Sequence, residues 1–331
     1  MSPIWKKKPV VGVGIGVGLL GAVALALRHR SRQAERGRIP DEISPAIFAT
    51  RVANTSHGDI VYHVCGSGAP LVFLHGMFLG ASSYEWSKVY TRFAVGHEVL
   101  APDLIGYGES ERPAEPLDAD DHVESLSEFI RAACSASSAI LVASGLTCQV
   151  ALRLAARHPE LVARLVLFLP STLRESVQAQ TMGLVSGSLI PGIGRLVYQR
   201  HTSRTPFIRS WLLRSGYANP ENLAEETIDV LASSAQQYGA EHAILGLQKN
   251  RKRFDATPRL ADIHCPTHVL WPANAPGFPL TEATTLCRHL SKPSLEVLND
   301  CSAFAPMESP ELLVRSLKHW LDGDLAENLP A

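Results

Sequence analysis

From about residue 54 onward, short apolar runs alternate with amphipathic helical stretches. Parallel strands can be joined only by long crossovers, so this rhythm predicts an α/β fold whose mostly parallel, doubly wound sheet is covered on both faces. Strands are expected at 59–65, 71–75, 97–101, 139–143, 164–169, 267–271 and 294–298, with helices at 84–94, 119–132, 146–157, 281–291 and 309–321. Between Pro170 and about Asp255 the strand rhythm stops, and stretches such as Pro220-Glu-Asn-Leu-Ala-Glu-Glu-Thr-Ile-Asp-Val-Leu231 have helical spacing. The expected organisation is a core first part at 54–170, an inserted helical lid at 171–255, a core second part at 256–322 and a tail at 323–331. At 46% hydrophobic residues over 331 positions, the chain can fill such a core.

Residues 1–40 differ from the rest. Pro9 to Leu27 carry no charge, and at 1.5 Å per residue they span roughly the 30 Å hydrocarbon core, which makes them a single-pass transmembrane helix candidate. Gly12 and Gly16 stand four apart, as do Gly14 and Gly18. Each pair shares a helix face, where small residues would let a second copy approach and form a homodimer. The glycines lack the strand and amphipathic helix that a dinucleotide loop requires. Cleavage as a signal peptide after Ala24-Leu-Ala26 is the rival, opposed by Arg28, Arg30 and Arg32 directly behind the apolar run. Five Lys or Arg follow the segment and three precede it, which keeps the large domain on the cytoplasmic side. The expected partner is the lipid bilayer.

Charge removes one function class. The first 40 residues hold eight basic side chains against Glu35 alone, so of the net charge of −1 the remainder carries −8. An acidic folded part has no basic face with which to replace phosphate counterions, and nucleic-acid binding is set aside. The six cysteines are scattered through a long chain and read as reduced. Cys265 and His268 have no second ligand pair at metal-site spacing, so neither a metal nor a cofactor is expected.

Three strings carry a resemblance: Leu71-Val-Phe-Leu-His-Gly76, Ala101-Pro-Asp-Leu-Ile-Gly-Tyr-Gly-Glu-Ser110 and Ala151-Leu-Arg-Leu-Ala-Ala-Arg-His-Pro-Glu-Leu-Val162. In this order and spacing they resemble the α/β-hydrolase superfamily, over about residues 54–322. The resemblance implies that His75 and Gly76 form an oxyanion turn, lined by the backbone N–H of Met77 or Phe78 and, with Leu146, bordering a ligand pocket. It also implies a nucleophile at a strand-to-helix elbow whose neighbours two residues either side are small. In Leu141-Val-Ala-Ser-Gly-Leu-Thr-Cys148, an apex at Gly145 has Ala143 and Thr147 as flankers. An apex at Ser144 would have the bulky Val142 and Leu146, so sterics select Gly145, which has no nucleophilic atom. The acid position then reads Ala275 and the base position Ala303.

Without a base a serine hydroxyl is a weak nucleophile, and loss of a whole triad removes on the order of a millionfold in rate. Ser144 and Cys148 are the remaining, weaker candidates, since no histidine is placed by motif beside either, and Cys301 stands no better. His75 reads first as a turn residue. The leading expectation is a membrane-anchored, non-hydrolytic pseudoenzyme that binds a small lipophilic molecule or a protein. The alternatives are an esterase or lipase-like hydrolase with a non-standard constellation, marked by a lid histidine reaching Ser144, and a structural membrane scaffold.

Overall fold

The computed structural model describes residues 48–170, 193–250 and 254–327. The apolar segment 9–27, with its Gly12/Gly16 face, and residues 171–192 lie outside the described residues. Among the described residues no helix is long and apolar enough to cross a membrane.

Eight strands form one sheet in the order β1-β2-β4-β3-β5-β6-β7-β8. They are β1 (Ala49–Thr55), β2 (Gly58–Cys65), β3 (Ala69–Leu74), β4 (His97–Pro102), β5 (Ala139–Ser144), β6 (Val162–Phe168), β7 (Thr267–Pro272) and β8 (Pro293–Leu298). The pairings among β3 to β8 are parallel, and β2 is antiparallel to both β1 and β4. Sequence reading misses β1, because this edge strand pairs only with β2 and most of its residues face solvent, which leaves it no apolar run. Val52 is 57% exposed.

The sheet is flanked by α1 (Ala119–Ala133), α2 (Thr147–Arg157), α6 (Leu280–His289) and α7 (Pro310–Glu327). Asp118 caps α1 in a reciprocal box with Asp121, satisfying backbone N–H groups that the first turn leaves open. α7 runs past the expected end at 321 and into the stretch read as a tail. The single helix expected at 84–94 is instead three short turns, Ser83–Trp86, Ser87–Tyr90 and Thr91–Phe93. Its Trp86, Tyr90 and Phe93 rings all pack on Phe73 of β3, at centroid distances of 5.7, 6.1 and 5.9 Å. Between β6 and β7 the described residues hold a short helix Ile193–Val197 that runs into a π-turn Tyr198–Thr202. Three further helices follow: α3 (Thr205–Ser215), α4 (Glu225–Ala235) and α5 (Ala240–Asn250). All six cysteines are free thiols.

Candidate active site

Strand order reverses around β3, between β4 and β5, and in open α/β sheets ligands bind beyond the carboxyl ends of the strands at such a point. The loops after β3 and β5 meet there. β5 ends at Ser144, Gly145 turns the chain at φ +56°, and Leu146 is the residue that caps α2. Only glycine adopts that left-handed backbone freely. The Gly145 N–H donates to the Phe168 carbonyl of β6 at 3.0 Å. Thr147 Oγ1 donates to the His75 carbonyl at 2.6 Å, tying the elbow to the His-Gly turn.

His75 is buried and spent on backbone contacts. Its Nε2 accepts from the Leu104 N–H at 2.9 Å, so the ring proton sits on Nδ1, which donates to the Gly76 carbonyl at 2.8 Å. Burial lowers its pKa and keeps the ring neutral. No ring nitrogen is left to carry a substrate proton.

Beneath the turn lies a residue that sequence reading missed. Glu85, from the first short turn after β3, is buried and accepts from the Ser144 hydroxyl at 2.5 Å through Oε1 and from the Gly76 N–H at 2.6 Å through Oε2. Burial pushes its carboxyl up to about 7, while the two hydrogen bonds pull the other way. Ser144 therefore meets a carboxylate, where the hydrolase alternative looked for a lid histidine. The only signal in the sequence is an acid inside the otherwise uncharged stretch from Met77 to Ser87.

The cysteines near the site are not activated. The Cys148 thiol points at the Ala143 and Phe168 carbonyls, at 3.4 and 3.6 Å, and burial together with the Glu85 charge raises its pKa well above the usual thiol value. Burial pushes Cys301 up to about 12. Both stay protonated and un-nucleophilic near neutral pH.

Beside the turn three buried aromatic rings pack on one another. Phe78, Trp211 of α3 and Phe304 form a triangle, with centroid distances of 6.0 Å for Phe78 to Trp211, 5.2 Å for Phe78 to Phe304 and 5.3 Å for Trp211 to Phe304. Phe304 lies so close to Gly216 that a Cβ there would run into its ring. Met77 and Leu146 are fully buried. The Trp211 indole N–H is buried and among the described residues has no acceptor. Ala303 precedes Phe304 and is partly buried; Ala275 is buried on the loop after β7, where its carbonyl accepts from the Phe278 N–H. Neither alanine offers a group that could titrate.

Among the described residues no three His, Cys, Asp or Glu side chains stand together as metal ligands. His268 places its ring nitrogens 2.7 Å from Ser294 Oγ and 3.2 Å from Glu296 Oε2.

Known proteins share this architecture. A haloalkane dehalogenase of Agrobacterium fabrum is 28% identical over 275 residues, covering 77% of this chain and 86% of that protein. A 2-hydroxymuconate semialdehyde hydrolase of Pseudomonas sp. is 38% identical over 106 residues, 32% of this chain, and the match spans only 38% of that protein's length. Among solved structures, a bacterial membrane phospholipase A superimposes with a TM-score of 0.70 over 96% of both chains at 22% identity. The epoxide hydrolase CorEH does so at 0.71 over 83% of this chain and 99% of its own, at 19% identity; at these identities the likeness is one of fold. Residues 71–316, which hold the His-Gly turn, the elbow, the aromatic triangle and the last core strands, match the model of the alpha/beta hydrolase family, and the chain belongs to that family.

Proposed function

We infer that this chain binds a small apolar molecule against Phe78, Trp211 and Phe304, and does not cleave it by a serine-type mechanism. The observation that carries the reading is the elbow: the residue at φ +56° between β5 and α2 is a glycine. The supporting ring, His75, has both nitrogens on backbone groups. The lone indole N–H of Trp211 gives an apolar ligand one hydrogen bond to orient it. Residues 9–27 tether this domain to a membrane from its cytoplasmic side and pair two copies through Gly12 and Gly16.

A second reading keeps the chain among the hydrolases that its relatives are named for, and one contact favours it. Ser144 Oγ donates to Glu85 Oε1, so Glu85 would take the hydroxyl proton as Oγ attacks an ester carbonyl.

The two readings separate in one experiment on the full-length protein. Titration calorimetry with 1-hexanol is expected to show saturable binding that Trp211→Ala weakens. A fluorophosphonate probe is expected not to label the protein, and p-nitrophenyl hexanoate is expected to turn over no faster than with a Gly145→Ala control. Labelling that disappears in Ser144→Ala would establish the second reading instead.

A further inference from the structure

The loop that follows β4 is held rigidly. Asp103 accepts from the backbone N–H of Ser83 at 2.6 Å and of Glu109 at 2.7 Å, and Ser110 Oγ donates to the Asp103 carbonyl at 2.6 Å. Gly106 N–H donates to the Glu111 carbonyl at 2.8 Å, closing the loop so that Tyr107 and Arg112 leave it at its two ends. Gly108, at φ +51°, has no room for a Cβ against the Asp103 carboxylate.

Both side chains run to the helices between β6 and β7. Arg112 Nη2 donates to the Gly108 carbonyl and to Gln237 Oε1, beyond α4. The charges of Glu109, Glu241 and Asp103 are felt there, yet among the described residues no carboxylate ion-pairs with Arg112. Glu241 is taken up by Arg195 at 2.8 Å and Gln199 at 3.1 Å. Among the described residues the buried Arg112 Nε–H has no partner. The same holds for the Tyr107 hydroxyl and, one turn along from Tyr198, for Thr202 Oγ1. His242 Nδ1 is a fourth such atom, and the vacant Cβ position of Gly239 lies 3.4 Å from it and 3.3 Å from Arg112 Cβ. Tyr198 gives no relief, because its hydroxyl donates to the Ala235 carbonyl at 2.9 Å.

Buried polar atoms are rarely left unsatisfied. Among the described residues such orphans occur on the loop and on the helices that it faces, and the one on Arg112 belongs to a cation. We propose that the seam between the Gly106–Arg112 loop and the helices facing it binds the carboxylate of a small apolar acid, with Arg112 Nε and the Tyr107 hydroxyl as donors to its oxygens. This rests on the ligand reading above for the apolar body of the molecule. The Tyr107 ring also packs edge-on against His75 at 5.4 Å, so the seam adjoins the His-Gly turn. One charged and one neutral donor suit a planar monoanion, and the Asp103, Glu109 and Glu241 charges, which oppose any anion, oppose a dianion such as a phosphate monoester about twice as strongly.

The test compares hexanoate, 1-hexanol and hexyl phosphate by titration calorimetry on the full-length protein. Hexanoate is expected to bind at least tenfold more tightly than the other two, the scale of one charge-assisted hydrogen bond. Arg112→Gln and Tyr107→Phe are each expected to lower hexanoate affinity about tenfold and to leave 1-hexanol unchanged. Tyr107→Phe removes a hydroxyl that has no partner among the described residues, so it folds as the parent does and decides the matter even if Arg112→Gln is unstable. Hexanoate binding that is no tighter than that of 1-hexanol, or that Tyr107→Phe leaves intact, overturns the proposal while the apolar site stands. If hexyl phosphate binds as well as hexanoate, the carboxylate assignment is wrong; if none of the three binds, the apolar site falls as well.

Discussion

The Ser144 hydroxyl donates to Glu85 Oε1 at 2.5 Å, joining the end of β5 to a turn 59 residues earlier in the chain. The other Glu85 oxygen holds the Gly76 N–H, so one carboxyl group braces the elbow and the oxyanion turn from below.

Stability should carry the imprint of this carboxyl. Its pKa in the fold is raised to about 7 from a usual value near 4.5, so the folded state holds a proton there that the unfolded chain gives up. The favourable protonated state is complete below the unfolded value and is lost as pH rises through 7, a penalty of roughly 3 kcal/mol at high pH. Glu85→Gln should remove that penalty. Urea denaturation at pH 5 and pH 8 is expected to show the variant gaining stability relative to the parent at the higher pH. Parallel pH profiles would show that Glu85 does not titrate in this range.

Ser144→Ala deletes a donor to a buried acid and should destabilise the fold by about 1–3 kcal/mol. The Ser144 bond also pulls the Glu85 pKa down, so the variant should lose stability more steeply between pH 6 and 8 than the parent. Equal slopes would mean that the hydroxyl does not act on the carboxyl.

His75→Phe keeps the ring and leaves the Leu104 N–H without its acceptor. A loss of about 1–3 kcal/mol in chemical denaturation is expected, with 1-hexanol affinity unchanged. A variant as stable as the parent would argue against the bond to Leu104.

Restoration tests the register of the elbow. Gly145→Ser combined with Ala275→Asp and Ala303→His should yield fluorophosphonate labelling, which Gly145→Ser alone should not, because a serine without its base is inert. An introduced imidazole found more than about 6 Å from the introduced hydroxyl in a crystal structure would show that these positions do not belong together.

The parts of this molecule that can be read in one dimension are those in which a residue's role follows from its neighbours. The buried strands β3, β5 and β6 are apolar runs, and the elbow glycine stands out because Ala143 and Thr147 are small. β1 is not legible, since only its antiparallel pairing with β2 makes Arg51 and Val52 part of a sheet. Glu85 is hidden for the same reason: a carboxylate at the start of an expected helix reads as solvent-facing until folding places it against Ser144. The orphaned Trp211 and Tyr107 donors are invisible in the sequence, because lacking a partner is a property of three-dimensional surroundings.

Gly145 sits in the bend between β5 and α2, at φ +56°. Any side chain there would load the bend with about 1–2 kcal/mol of strain, the ordinary penalty of a left-handed backbone. With glycine the bend is at rest. An elbow that presents a nucleophile is a compressed spring, kept shut by the packing around it; here the spring is slack, and the packing around β5 and α2 is free to go entirely into the durability of the fold.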